Sequence, residues 1–153
     1  MKCCLRFLPS LALVIACLGM EAVAAQMLPR TAGYVARVIG EAYVTSLGNT
    51  NPAAVGQAIV EGMTLHTGAA GGLAVILEDG TVLSFGPNSR LTLEEYRFLP
   101  ASETFRMSAR FRRGTLSLEP GAIARLDPNA ISLTTPHGRI AVHAGHALLK
   151  VIE

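Results

Sequence analysis

Residues 72–98 read GLAVILEDGTVLSFGPNSRLTLEEYRF, and their patterning decides the fold. Leu73, Val75 and Leu77 recur at every second position, and Val82, Leu83 and Phe85 follow the break at Glu78-Asp79-Gly80-Thr81. A period of two puts alternate side chains on opposite faces of a sheet, so both runs are read as strands. Asp-Gly between two apolar runs predicts a hairpin, because the turn needs a positive φ that Gly adopts without steric cost. A second break, Gly86-Pro87-Asn88-Ser89, opens a third run through Leu91 and Leu93. The stretch therefore predicts a three-stranded antiparallel meander. In the third run the apolar phase slips from odd positions (Leu91, Leu93) to even ones (Tyr96, Phe98). A β-bulge at Glu94-Glu95 would return both pairs to one face.

Working outward, Phe105, Met107, Ala109 and Phe111 alternate with Thr104, Arg106, Ser108 and Arg110. This is the cleanest two-faced strand in the chain, and Arg112-Arg113-Gly114 is expected to end it. Further short runs at 115–119, 122–126, 131–135, 139–143 and 147–152 are read as strands, with Pro120-Gly121 as a turn. Toward the N-terminus, two β-rich runs flank Gly40, a bulge or tight turn. Residues 49–52 (NTNP) read as a turn, 53–61 as a short helix or irregular loop, 63–67 as a strand and 68–72 as a turn. Fifteen Gly and eight Pro punctuate the chain too often for long helices. The glycine spacing of 33–44 returns in 138–149, as two β-hairpins would require, or a pseudo-repeat whose ends pair or stack. The expected fold is all-β: a single domain over residues 26–153, with roughly a dozen short, mostly antiparallel strands forming a sandwich or short β-roll.

Residues 1–25 read as a secretory signal. Lys2 and Arg6 precede an apolar run at 11–19, and Val23-Ala24-Ala25 before Gln26 is a small-residue cleavage site. The apolar run is too short to span a membrane, and no transmembrane segment is expected in the mature chain. Cys3, Cys4 and Cys17 all fall inside this segment, so the mature chain would carry neither disulfide nor thiol chemistry. Val14-Ile15-Ala16-Cys17 is also similar to a lipobox, which makes a lipid anchor on Cys17 the alternative to soluble export. Either route places the protein in a bacterial envelope, with the periplasm expected.

The formal charge is +2 and falls close to neutral without the leader, which argues against a general polyanion binder. No aromatic platform lies among the basic residues, since Phe105 and Phe111 alternate to the face opposite Arg106 and Arg110, so no nucleic-acid partner is expected. The chain contains no Gly-x-Ser-x-Gly, Ser-x-x-Lys or His-Glu-x-x-His pattern, and Asp79 and Asp127 read as turn residues. No enzyme activity and no cofactor are expected. Two clusters remain. Arg106, Arg110, Arg112 and Arg113 are the candidate binding residues for an anionic sugar, a phosphate or an acidic partner, unless they pair with Glu94 and Glu95. His143 and His146, near His137, are the candidate metal ligands. They share a face only if the strand breaks at Gly145.

Five motifs in order carry a resemblance. They are Gly33-x-Val35-x-x-Val38-x-Gly40-x-Ala42-x-Val44, Gly62-x-x-Leu65-x-Thr67-Gly68, the run Leu77-x-Asp79-Gly80-Thr81-x-Leu83-x-x-Gly86-Pro87-Asn88-Ser89-x-Leu91, Arg113-Gly114-Thr115-Leu116, and Thr135-Pro136-x-Gly138-x-Ile140. Together they make the chain similar to the FecR domain family, and in particular to its stand-alone exported members. The family's regulators join a cytoplasmic anti-sigma region and one membrane helix to a periplasmic domain that relays a signal from an outer-membrane transporter. The resemblance implies an all-β envelope domain of sensing or protein-binding role, without catalytic residues and without the anti-sigma region. One departure stands out: where the family continues with Arg-Gly-Thr, this chain has His143-Ala144-Gly145. The expected function is a non-catalytic, exported protein-binding or sensing module that meets an envelope protein. A cell-wall or glycan-binding module and a metal-binding periplasmic protein are the alternatives.

Overall fold

The computed structural model describes residues 30–152, so the expected leader and Cys17 lie outside the described residues. Twelve strands follow one another among them: β1 (Thr31–Ile39), β2 (Ala42–Ser46), β3 (Asn49–Pro52), β4 (Ala58–Val60), β5 (Thr64–Thr67), β6 (Gly72–Leu77), β7 (Val82–Phe85), β8 (Arg90–Leu99), β9 (Thr104–Glu119), β10 (Ile131–Thr135), β11 (Gly138–Ala141) and β12 (Ala147–Val151). They form one sheet in the order β3-β2-β5-β8-β9-β7-β6-β1-β4, with β10 and β12 also on β9, and β11 on β10. Pairing is antiparallel except between β9 and β10. The sheet curls into about a half-barrel, a single all-β domain of the expected class. No helix among the described residues is long and apolar enough to cross a membrane.

The hairpin at Asp79-Gly80 forms as its sequence predicts: β6 pairs β7 antiparallel, and Gly80 takes φ +84°. The meander does not continue. β8 leaves β7 and pairs instead with β5 and β9. Gly86-Pro87-Asn88-Ser89 is a corner, not a hairpin turn, and it moves the chain from one half of the sheet to the other. β9 makes the same passage without breaking. Up to Arg113 it lies between β8 and β10, and from Gly114 onward between β7 and β12. The strand expected to end at Arg112-Arg113-Gly114 therefore runs for 16 residues and bends there.

Ser89 pins this corner. Its buried hydroxyl is 2.8 Å from the Gly86 carbonyl and 2.9 Å from the Thr115 carbonyl, and accepts from Thr115 N at 3.0 Å. The buried Thr67 hydroxyl donates to the Gly86 carbonyl at 2.6 Å and accepts from Ser89 N at 2.9 Å. These bonds satisfy backbone groups that the change of partner strands would otherwise leave orphaned. Gly114 is obligatory here: its φ is +96°, and a Cβ would stand 2.3 Å from Ser89 Oγ and 2.4 Å from Ser89 Cα.

The bulge expected at Glu94-Glu95 is present, because Leu93 faces Ala109 while Glu95 faces Ser108. Leu91, Leu93 and Tyr96 are all buried as a result. β9 carries a second bulge that the sequence reading missed. Leu91 faces Phe111 while Arg90 faces Arg113, so Arg112 is the extra residue. The core lies on the concave side, with Leu83, Met107, Phe111, Leu116, Leu118, Ile123, Ile131 and Leu133 fully buried. Each such side chain contributes roughly 1.5–3 kcal/mol of burial free energy.

Residues 49–52 form an edge strand, and the turn lies earlier, at Leu47-Gly48, where both residues have positive φ (49° and 83°). Leu is a poor residue for that conformation, which hid the turn. Residues 53–61 are neither helix nor irregular throughout, since β4 forms within them. Residues 122–126, read as a strand, are a single helical turn, α1 (Ala122–Leu126). Its first-turn amides find partners across the fold: Ala122 N donates to the Asp79 carbonyl at 2.8 Å and Ile123 N to Asp79 Oδ2 at 3.2 Å. The two segments sharing glycine spacing are not hairpins: β1 pairs β4 and β6, β2 pairs β3 and β5, β11 pairs β10, and β12 pairs β9.

Candidate functional site

The convex face of the sheet carries the candidate residues, and strand register orders them. Residues directly opposite on neighbouring strands share a face. Thr50 faces Thr45, Thr45 faces Thr64, Thr64 faces Thr92, Thr92 faces Arg110, Arg110 faces Thr134, and Thr134 faces Arg139. A single transverse row of five hydroxyls and two guanidinium groups thus crosses seven strands. Neighbouring strands lie about 4.8 Å apart, which sets the pitch of the row. Two hydroxyl pairs bond within it, Thr45 with Thr50 and Thr64 with Thr92, each at 2.8 Å.

Of the expected arginines, Arg106 and Arg110 share this outer face with Ser108 between them, as strand alternation requires. Both meet the acids of the β8 bulge. Arg110 pairs with Glu94 at 2.6 Å, and Arg106 comes within 4.0 Å of Glu95. All four groups are well solvated, so these pairs contribute at most about 1 kcal/mol each. Arg112 and Arg113 are exposed at the second bulge. Arg112 makes no ion pair among the described residues. With Arg110, Thr134, Thr135 and Pro136 it lines an open cleft of about 400 Å³. The cleft has a backbone cause. The β9–β10 ladder stops at Arg110 and Thr134, and Pro136 lacks the N–H to extend it. Arg139, which the sequence reading did not single out, is brought opposite Thr134 by the β10–β11 pairing.

Beside this row, Tyr43 stacks on His66 at a centroid distance of 5.2 Å. His66 Nδ1 is buried and has no hydrogen-bond partner. Burial holds the His66 pKa below the usual histidine value, and the charges of Arg90 and Arg113 lower it further.

The histidines picked out for metal binding are placed apart in role. His143 lies exposed in the bend after β11. His146, before β12, stands 2.5 Å from Ser117 Oγ and 3.7 Å from Glu119 Oε1. Among the described residues, no group of three or more His, Cys, Asp or Glu side chains is placed to hold a metal ion.

The opposite half of the convex face carries an apolar row. Ala58 faces Tyr34, Tyr34 faces Ile76, and Ile76 faces Val82, in register across four strands. Tyr34 is 52% exposed and Ile76 45%. Their alternation with buried Val35, Val75 and Leu77 marks them as outward-facing, but only register shows that they adjoin. The buried polar side chains serve the fold instead. Asp79 Oδ1 accepts from Thr81 N at 3.2 Å and from the Tyr96 hydroxyl at 3.0 Å, and Asp79 Oδ2 accepts from the Thr81 hydroxyl at 2.6 Å. Comparison with family models, with curated proteins and with solved structures finds no match to this chain.

Proposed function

We propose that the chain is a non-catalytic, FecR-like binding module of the bacterial cell envelope, exported to the periplasm, where it docks on another envelope protein. The observation that carries the docking is the in-register apolar row Ala58, Tyr34, Ile76 and Val82, with two large side chains about half exposed. Solvating such a row is unfavourable, and a protein surface relieves it. The FecR-like character is supported by where the resembling motifs meet. Thr67, Gly86, Ser89, Gly114 and Thr115, from three of them, come together in one hydrogen-bonded corner. The export reading rests on the leader pattern in residues 1–25.

The test is a photo-crosslinking amino acid placed at position 34 or 76 in cells, with position 47 as a control on the far turn. Capture of one envelope protein from positions 34 and 76 alone supports docking. Equal labelling from all three, or defined turnover of a substrate by the purified chain, overturns it.

A second reading, a cell-wall or glycan-binding module, is favoured by the Thr-Arg row on the other half of the face. Sedimentation with purified peptidoglycan tests it; binding lost in Arg106→Ala with Arg110→Ala supports it, and no co-sedimentation removes it.

A further inference from the structure

We infer that the Arg110, Arg112, Thr134 and Arg139 end of the row binds an oxyanion, phosphate or carboxylate, carried on a polyhydroxylated glycan chain. The inference rests on the second reading above and gives it a ligand class. Three independent features converge on this end. The first is a cavity: Pro136 ends the β9–β10 ladder, and the cleft of about 400 Å³ opens there. The second is charge. Glu94 neutralises Arg110, whereas Arg112 and Arg139 make no ion pair among the described residues. A bulge aims Arg112 outward, and bulges recur where a side chain must be re-aimed toward a ligand. Arg112 lines the cleft with Thr134, and Arg139 stands opposite Thr134 on the next strand, so two unneutralised guanidinium groups serve one end of the row and suit an oxyanion, which each can grip through two parallel N–H bonds.

The third feature is the hydroxyl row leading away from the cleft. A threonine hydroxyl has one donor hydrogen and two acceptor sites. In each bonded pair, Thr45 with Thr50 and Thr64 with Thr92, one hydrogen is used and the other remains free, as do acceptor sites. The row thus offers donors and acceptors at a pitch of about 4.8 Å, which suits a polyol better than a peptide. An acidic peptide would use the guanidinium groups but leave the hydroxyl row unmatched.

Isothermal titration calorimetry with the purified chain tests this at low and high salt. The probes are polygalacturonate, phosphorylated dextran, neutral dextran and poly-L-glutamate. At least one anionic glycan is expected to bind, more weakly at high salt, and whichever of the two binds identifies the carboxylate or phosphate source. Arg112→Ala with Arg139→Ala should weaken that binding by about tenfold or more. Both side chains are exposed, and an unchanged far-ultraviolet circular dichroism spectrum confirms folding; Arg112→Lys, keeping charge but not the fork, should lose less. Poly-L-glutamate binding as tightly as the anionic glycans would overturn the inference, as would an unchanged affinity in the double variant. Binding to neutral dextran as tight as to the anionic glycans would overturn the oxyanion ligand while leaving the glycan reading standing. Binding to no glycan would remove both.

Discussion

The hydroxyl of Tyr96 on β8 lies 3.0 Å from Oδ1 of Asp79 in the β6–β7 turn, 17 residues earlier in the chain. The same hydroxyl accepts from the Asp79 backbone N–H at 3.0 Å. Burial raises the Tyr96 pKa well above the ordinary tyrosine value, and the Asp79 carboxylate raises it further. The phenol therefore stays protonated and donating through the alkaline range in which free tyrosine ionises. One bond thus ties the hairpin turn to a strand it does not pair with, while the same carboxylate caps α1.

Removing this link should be costly. Tyr96→Phe leaves a buried carboxylate oxygen and a buried N–H short of a partner, and should cost about 1–3 kcal/mol in urea unfolding. Asp79→Ala orphans the Thr81, Tyr96 and Ile123 donors at once and should cost more than Tyr96→Phe. Equal, small losses in both variants would show that the network is not coupled.

The corner at Gly114 should tolerate no side chain. Gly114→Ala is expected to destabilise by about 3 kcal/mol or more, through both its positive φ and its clash with Ser89. Ser89→Ala should cost about 1–3 kcal/mol alone. It should not rescue Gly114→Ala, because the Ser89 Cα remains 2.4 Å from the new Cβ. Rescue in the double variant, read by thermal unfolding, would mean the hydroxyl is the whole obstacle.

Leu47 offers a gain. It is fully exposed with φ +49°, so its side chain contributes no packing while its backbone is strained. Leu47→Asn places a residue suited to that conformation before Gly48 and should stabilise the chain by about 1 kcal/mol. A melting temperature unchanged or lowered would contradict this.

His66 should make stability fall in mild acid. Its folded-state pKa is depressed, so below the unfolded value the unfolded chain binds the proton that the folded chain resists. Stability is then complete above the ordinary histidine pKa and is lost as pH falls below it toward the depressed value. Comparing urea midpoints at pH 8 and pH 5 should show this slope, and His66→Gln should reduce it.

Glu94 should restrain the oxyanion end of the row. Glu94→Gln frees Arg110 from its 2.6 Å ion pair at little cost in stability, since the pair is well solvated. Affinity for the anionic glycan should rise severalfold. A fall, or no change, would indicate that Arg110 does not reach the ligand.

Local patterning carried far. Alternation in Leu73, Val75 and Leu77 and in Phe105, Met107, Ala109 and Phe111 states which faces are buried, because a strand has a period of two whatever its neighbours. The phase slip between Leu93 and Tyr96 is a bulge read directly from parity. The slip between Phe111 and Leu116 was equally available, yet Arg112-Arg113-Gly114 resembled a strand end. At 122–126 the five residues AIARL fit either state, and hydrogen bonds donated by the backbone at 121–123 to Asp79 and Thr81, some 40 residues away, settle them as a helical turn.

The all-β class, the Asp79-Gly80 hairpin, the two-faced arginine strand and the first bulge are written in the amino-acid order, since each depends only on residues close in the chain. Tertiary structure alone decided which strands are neighbours. β8 chose β5 and β9 over β7 because a glycine-centred corner and the Ser89 hydroxyl redirect it. The apolar row and the Thr-Arg row exist only through register between strands far apart in sequence. Side-chain periodicity says in or out; the hydrogen-bond ladder, which is sequence-independent in its chemistry, says beside what.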